Sequence, residues 1–267
     1  MDSARDMTPL YRGMDRAALD AAYNNSAAVK NSAQIVAQWQ ERSDRLRPRV
    51  KELRYGDAER NRIDYLEAAP GGPLLAFIHG GYWQMRAKEN FTFIAEGPLA
   101  HGVNVALVGY TLAPQKRLDE IVREIRVALD FLSDINPEFI LSGWSAGGHL
   151  TAMTMPHACV KAGIAISGIY DLEPIRLSYL NEKLRLDAPE AHRNSPMLNW
   201  LSEKPILLAY GTKELPELQR QSQAYGAVRK RAEVRPIEGH DHFTILEELA
   251  SPEGALTGMV RAFVGPH

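Results

Sequence analysis

Six short runs of nearly continuous apolar residues constrain this chain more than any other feature. They cover 74–78, 103–108, 139–142, 163–167, 206–210 and 233–237. Runs that are apolar throughout, rather than alternating, belong to strands covered on both faces. Helical patterns lie between them. In the clearest, Leu118, Ile121, Val122, Ile125, Leu129 and Leu132 recur at three- and four-residue steps, and Asn136-Pro137 closes the stripe. Further helices are expected over 215–230 and 244–264. Alternation of this kind predicts an α/β chain with a mostly parallel central sheet and helices on both faces.

The flanking segments have a different texture. Residues 1–48 read as a helical N-terminal extension, with apolar faces at Leu19, Ala22 and Tyr23 and again at Ile35, Val36 and Trp39. Two short strand candidates follow, 50–55 and 62–68, joined by the turn residues Gly56-Asp57-Ala58-Glu59, so an antiparallel hairpin is expected. Pro70-Gly71-Gly72-Pro73 then opens the alternating region. Residues 170–203 contain Pro174, Pro189 and Pro196 and no clean strand, and read as a cap inserted above the sheet. One domain over 1–267 accommodates all of this.

Composition excludes several function classes. The 31 Lys and Arg balance 33 Asp and Glu, which argues against nucleic acid as the main partner. The basic cluster Arg229-Lys230-Arg231 reads as a solvated face at a helix end. The lone Cys159 can form neither an intrachain disulfide nor a thiolate pair. No apolar run is long enough to span a bilayer, and the first six residues lack the apolar stretch of a signal peptide. The expectation is a cytoplasmic, non-membrane protein.

Chemistry enters at Gly143-Trp144-Ser145-Ala146-Gly147, a G-x-S-x-G match between an apolar run and a helix-like stretch. In that strand-turn-helix setting a serine hydroxyl projects from a tight, strained turn. The adjoining helix N-terminus favours negative charge. His79-Gly80-Gly81-Tyr82-Trp83 follows the first apolar run. Paired glycines let the backbone approach a substrate, and the amides of Gly80 and Gly81 with that of Ala146 form an expected oxyanion hole. His79 reads as a hydrogen-bonded structural histidine.

A serine nucleophile needs a base and an acid that orients the base. Gly239-His240-Asp241-His242-Phe243 lies after the last strand candidate and supplies the histidine. His242 is preferred to His240, because Phe243 and the following helix would hold its ring. The terminal His267 has no following structure to hold it. Glu214 is the preferred acid, with Glu217 and Asp241 as rivals. The pair His240 and His242 also admits a metal reading, but no third and fourth ligand lies at a telling spacing. With Ser145 better placed as nucleophile, Cys159 is left as a packing residue.

At these residues the chain resembles the α/β-hydrolase superfamily and, within it, the arylformamidase and related esterase branch. The resemblance rests on His79-Gly80-Gly81-Tyr82-Trp83, Tyr110-Thr111-Leu112-Ala113-Pro114 and Gly143 through Leu150. It extends to Ser167-Gly168-Ile169-Tyr170-Asp171-Leu172, Pro216-Glu217, Arg220-Gln221-Ser222, Asp241-His242-Phe243 and the N-terminal segment Leu19 to Asn25. It implies a triad of Ser145, Glu214 and His242, with no metal and no organic cofactor. Two positions depart from the pattern: Glu214 stands where many members carry aspartate, and Trp144 where they carry histidine. The implied substrate is a small-molecule acyl amide or ester, with N-formylkynurenine the type case and a short-chain ester the alternative. Tyr82, Trp83, Tyr110, Trp144 and Tyr170 are the aromatic residues available to line the leaving-group side. The N-terminal 48 residues could cover the site as a lid or join two copies as a homodimer.

Overall fold

Each apolar run becomes a strand. The computed structural model describes residues 8–199 and 202–265; His267 lies outside them. The strands are β1 (Lys51–Arg54), β2 (Arg62–Leu66), β3 (Leu74–Ile78), β4 (Asn104–Val108), β5 (Phe139–Trp144), β6 (Val160–Ile166), β7 (Ile206–Gly211) and β8 (Ala232–Ile237). They form one sheet in the order β1-β2-β4-β3-β5-β6-β7-β8. The expected hairpin is present as the antiparallel β1–β2 pair, and β2 joins β4 antiparallel. Every later pairing is parallel.

The helices are α1 (Arg16–Ala22), α2 (Asn25–Ala28), α3 (Ser32–Leu46), α4 (Glu96–Ala100), α5 (Leu118–Ser133) and α6 (Ala146–Thr154), then α7 (Glu173–Arg176), α8 (Asn181–Leu184) and α9 (Ala188–Arg193), then α10 (Pro216–Ala227), α11 (Glu247–Ala250) and α12 (Ala255–Val264). The period-2 alternation of β3 shows how both faces are covered. Leu74, Ala76 and Ile78 enter one apolar cluster with the Leu118–Leu132 stripe of α5, while Leu75 and Phe77 enter another with Leu256 and Val260 of α12. The N-terminal extension is divided between the same two layers. Leu19 and Tyr23 pack in the first, Ile35 and Trp39 in the second. The chain between them therefore passes from one face of the sheet to the other.

Four expectations need correction. The 244–264 stretch is not one helix: a 3-10 turn at Thr244–Leu246 and α11 are separated from α12 by Ser251-Pro252-Glu253-Gly254. Pro252 holds Ser251 extended, at φ −77° and ψ 133°. Strand β8 is not covered on both faces; it is the sheet edge, and only Ile237 is buried. In the basic cluster, Lys230 and Arg231 are exposed, but Arg229 lies 4.9 Å over the Tyr225 ring and donates to the carbonyls of Pro196 and Asn199. The 170–203 segment contains the short helices α7, α8 and α9, and the chain leaves α10 at Ala227, short of the expected 230.

Trp39 fixes the extension to the body. Its ring stacks on Phe93 at 5.3 Å and meets Trp144 edge-on at 5.6 Å, with Phe91 and Phe243 alongside. Truncation of an enclosed aromatic leaves a cavity the surroundings cannot fill. Trp39→Ala is expected to lower unfolding free energy by about 3–5 kcal/mol, read from the denaturant midpoint; a loss under about 1 kcal/mol would mean the extension is not part of the core.

Two histidines are wholly enclosed in this frame. His79 follows β3 and lies between the rings of Tyr110 and Phe91; His149 sits on α6. Burial pushes His79 down to about 3 and His149 down to about 4. Below the ordinary histidine value of about 6.5, the unfolded chain takes up protons that the native state refuses. Stability should therefore fall as pH drops from neutrality toward 4, by up to about 1.4 kcal/mol per pH unit for each histidine. Guanidinium titrations at pH 7 and pH 5 check this, and equal stability at the two would refute it.

Candidate active site

The turn between β5 and α6 consists of Ser145 alone, at φ 58° and ψ −117°. A side chain disfavours that conformation, so the surroundings must impose it. Glycine on either side makes the packing possible. A Cβ on Gly147 would lie 2.0 Å from the Ile78 carbonyl oxygen, and one on Gly143 would lie 2.3 Å from that of Gly147. Only bare backbone lets α6 start this close to β3. The Ser145 N–H donates to the Ile166 carbonyl at 2.8 Å, and its carbonyl accepts from His149 N–H at 3.1 Å.

The structure brings Ser145, His242 and Glu214 together across the carboxyl ends of β5, β7 and β8. His242 Nε2 lies 3.1 Å from Ser145 Oγ, and its Nδ1 lies 3.0 Å from Glu214 Oε2. A carboxylate only accepts, so Nδ1 carries the proton and Nε2 is free to receive one from the serine. The other Glu214 oxygen accepts from Ser167 Oγ at 2.6 Å and from the Gly211 N–H at 2.7 Å. All three groups are nearly enclosed: Ser145 is 2% exposed, His242 3% and Glu214 5%.

The rivals are occupied elsewhere. His240 places Nδ1 3.0 Å from the Thr244 carbonyl and Nε2 3.1 Å from Glu248. Asp241 Oδ1 accepts from the N–H groups of Phe243 and Thr244, which caps the turn behind His242. Glu217 pairs with Arg220 at 2.8 Å. The ring nitrogens of His240 and His242 thus all have partners within the chain, which leaves none for a shared metal. The acidic group Glu52, Asp64 and Glu89 likewise surrounds the ammonium of Lys88.

The glycine loop runs beside the serine. A Cβ on Gly80 would lie 3.0 Å from that of Ser145 and 2.5 Å from the Trp144 ring. Gly81, Tyr82 and Trp83 all have positive φ, at 112°, 50° and 59°. His79 Nδ1 lies 2.7 Å from the Gly80 carbonyl and must be the donor. That bond draws the carbonyl to one side of the trans peptide, so the Gly81 N–H points the other way. The loop is held at its far end too: Arg60 donates to the Arg86 carbonyl at 2.5 Å, and Lys88 reaches Asp64 at 2.6 Å. At its lip Met85, an apolar side chain 46% exposed, lies against Gly81.

The five aromatic residues have distinct placements. Tyr110 is buried beneath the loop, stacked on His79 at 4.3 Å with its hydroxyl on the His79 carbonyl. Tyr170 stacks on Tyr225 at 4.4 Å. Trp144 lies 4.8 Å from the His242 ring and donates from Nε1 to the His242 carbonyl at 2.8 Å. Trp83 meets His149 edge-on at 4.9 Å. Tyr82 donates to the Tyr23 carbonyl at 2.6 Å and accepts from Asn25 at 3.0 Å. Sequence reasoning missed Ser167 and Asn25 as parts of this assembly. Ser167 carried a visible signal: a hydroxyl at the end of an otherwise apolar run.

The chain is similar over most of its length to proteins of known sequence and structure. The BD-FAE family profile matches residues 65–162. The kynurenine formamidase of Danio rerio is 32% identical over 251 residues, covering 84% of this chain and 85% of that protein. The Drosophila melanogaster enzyme of the same name is 30% identical, covering 79% and 80%. The structure of a candidate thioesterase from Silicibacter sp. TM1040 superposes with a TM-score of 0.85 at 29% identity, over 91% of this chain and 98% of that one. An esterase from Pyrobaculum calidifontis shares the fold, with a TM-score of 0.69 at 18% identity over 87% and 92%. The chain belongs to the kynurenine formamidase family of α/β-hydrolases.

Proposed function

We propose that this protein is a serine hydrolase that removes a small acyl group, formyl first among them, from an aryl amine through an acyl-enzyme. The observation that carries the reading is the continuous chain from Ser145 Oγ through His242 to Glu214, with the Gly80-Gly81 backbone alongside. Ser145 attacks the acyl carbon as His242 Nε2 takes its proton. Glu214 holds the imidazole in the correct tautomer and stabilises the imidazolium. The negative charge that develops on the acyl oxygen meets the amides of Gly80, Gly81 and Ala146, the last at the start of α6. His242 then returns the proton to the leaving amine, and water clears the acyl group by the same route.

The relatives named kynurenine formamidase support a small acyl group. The substrate we assign is therefore N-formylkynurenine or a close aryl formamide, with Tyr82 and Trp83 on the leaving-group side. We assign the protein to the cytoplasm on its single cysteine, and among the described residues no helix is long and apolar enough to cross a membrane.

Three measurements test this. Turnover of N-formylkynurenine is expected to exceed that of nitrophenyl butyrate; cleavage of the ester with no action on the formamide would end the formamidase reading. Ser145→Ala and His242→Ala should each lower kcat by roughly 10⁴–10⁶-fold, and the double variant little further, because the triad acts as a unit. Glu214→Gln should cost less. A fluorophosphonate should add to the wild type and not to Ser145→Ala; an adduct on both removes Ser145 as the nucleophile.

A further inference from the structure

The residue that follows β6 stands where the backbone favours glycine. Ser167 has φ 52°, a conformation that a side chain disfavours, and it is wholly buried. Its peptide joins the two halves of the site. The Ile166 carbonyl accepts from the Ser145 N–H at 2.8 Å, and the Ser167 N–H donates to the Ala209 carbonyl of β7 at 2.7 Å. Carbonyl and N–H point opposite ways across a trans peptide. One rigid unit therefore sets the nucleophile's turn against the strand that leads to Glu214. Glycine would make both backbone bonds equally well and would carry the positive φ without strain. What serine adds is the hydroxyl.

That hydroxyl has one hydrogen-bond partner among the described residues, Glu214 Oε1 at 2.6 Å. A carboxylate only accepts, so Ser167 donates. The Gly211 N–H donates to the same oxygen at 2.7 Å, and Oε2 is left for His242 Nδ1 at 3.0 Å. The two donors to Oε1 come from the ends of different strands, β6 and β7. With the Gly211 N–H alone, the carboxylate could turn about that single bond and carry Oε2 away from His242. The second donor closes this freedom. A glutamate needs it more than an aspartate would, because its carboxylate hangs from one more rotatable bond.

We propose that Ser167 is a positioning residue for the hydrolytic reaction: by holding Glu214 Oε1 it aims Oε2 at His242, and that bond is what the strained backbone at 167 supports. The inference rests on the reading of Ser145, His242 and Glu214 as a catalytic triad. Ser167 acts through Glu214 and does not meet the substrate, since none of its surface is open to solvent. Without its hydroxyl the carboxylate is free to turn, and the imidazole is less often held with Nε2 toward Ser145. The loss therefore falls on kcat and leaves substrate binding in place.

Ser167→Gly and Ser167→Ala both remove the hydroxyl, but only glycine suits the positive φ, so the alanine variant should unfold at the lower denaturant concentration. Kinetics are measured with whichever of N-formylkynurenine and nitrophenyl butyrate the wild type turns over faster. Each variant is expected to lower kcat about tenfold or more, with KM within about threefold, because the lost bond is one to a charged group remote from substrate. Equal kcat losses in two variants of unequal stability assign the effect to the hydroxyl rather than to the fold. Both changes are then repeated on Glu214→Ala, where no carboxylate is left to aim, and kcat should fall no more than about twofold further. A loss below about tenfold in Ser167→Gly, or a rise in KM in its place, overturns the proposal. So does a further loss above about twofold on Glu214→Ala, which would give Ser167 some other task. A Glu214→Ala variant as active as the wild type overturns the triad reading itself, and this is seen before Ser167 is changed.

Discussion

The backbone of Ser145 is the constraint on which the rest of the site depends. A side chain at φ 58° and ψ −117° costs of order 1–3 kcal/mol and persists only where its surroundings over-determine it. Here β5 and β6 hold it on one side and α6 on the other, and the approach of α6 to β3 is closed to any residue larger than glycine at 147. Strain is not spread evenly over the fold. Of the seven non-glycine residues with positive φ among the described residues, Tyr82, Trp83, Arg86, Ser145 and Ser167 lie in the glycine loop, at the turn or beneath Glu214. The central strands, apolar on both faces, form the rigid body against which these local conformations are held.

His242 is fixed from three directions, and this couples the site to distant parts of the chain. Glu214 orients its ring, Phe243 meets it edge-on at 5.7 Å, and Trp144 bonds its carbonyl. Trp144 stands where many relatives are expected to carry histidine. In this chain the larger ring spans the gap between the His242 loop and Trp39 of α3. The nucleophile's neighbour thus supports the base and is itself supported by the N-terminal extension. Glu214 is accommodated in a comparable way: its carboxylate is enclosed, and the oxygen not facing His242 has Ser167 and the Gly211 N–H as donors.

Much of this was legible in the sequence because the signals are local. Runs such as 74–78 could be read as central strands because they are short, apolar at every position and bounded by Gly and Pro. The Gly143–Gly147 turn could be read because its glycines answer to contacts within a few residues and one neighbouring strand. What was not legible depends on separations the chain closes only in three dimensions. Sequence position could prefer His242 to His240 but not show that Glu248 and the Thr244 carbonyl occupy the latter. Tyr110 and Tyr170 have the composition of a substrate wall, and the structure stacks them on His79 and Tyr225. Asn25 stood at the end of the resembling N-terminal segment, but nothing local joined it to Tyr82, its partner 57 residues away.

The distribution of unsatisfied groups completes the physical picture. Asn25 Oδ1, His79 Nε2, Trp83 Nε1 and His149 Nδ1 are buried without a hydrogen-bond partner in or against the glycine loop, and Trp39 Nε1, Tyr170 Oη and Ser222 Oγ are so elsewhere. Such groups cost about 1–3 kcal/mol each. For His79 and His149 the reason is visible: each spends one ring nitrogen on a carbonyl, Gly80 in one case and Asn194 in the other, and burial keeps the second unprotonated. They serve as neutral, rigid wedges that set the loop and the cap. Asn25 differs, because its free atom is an amide oxygen with no second task inside the protein. In the glycine loop the two penalties coincide at Trp83, whose Nε1 lacks a partner and whose φ is positive.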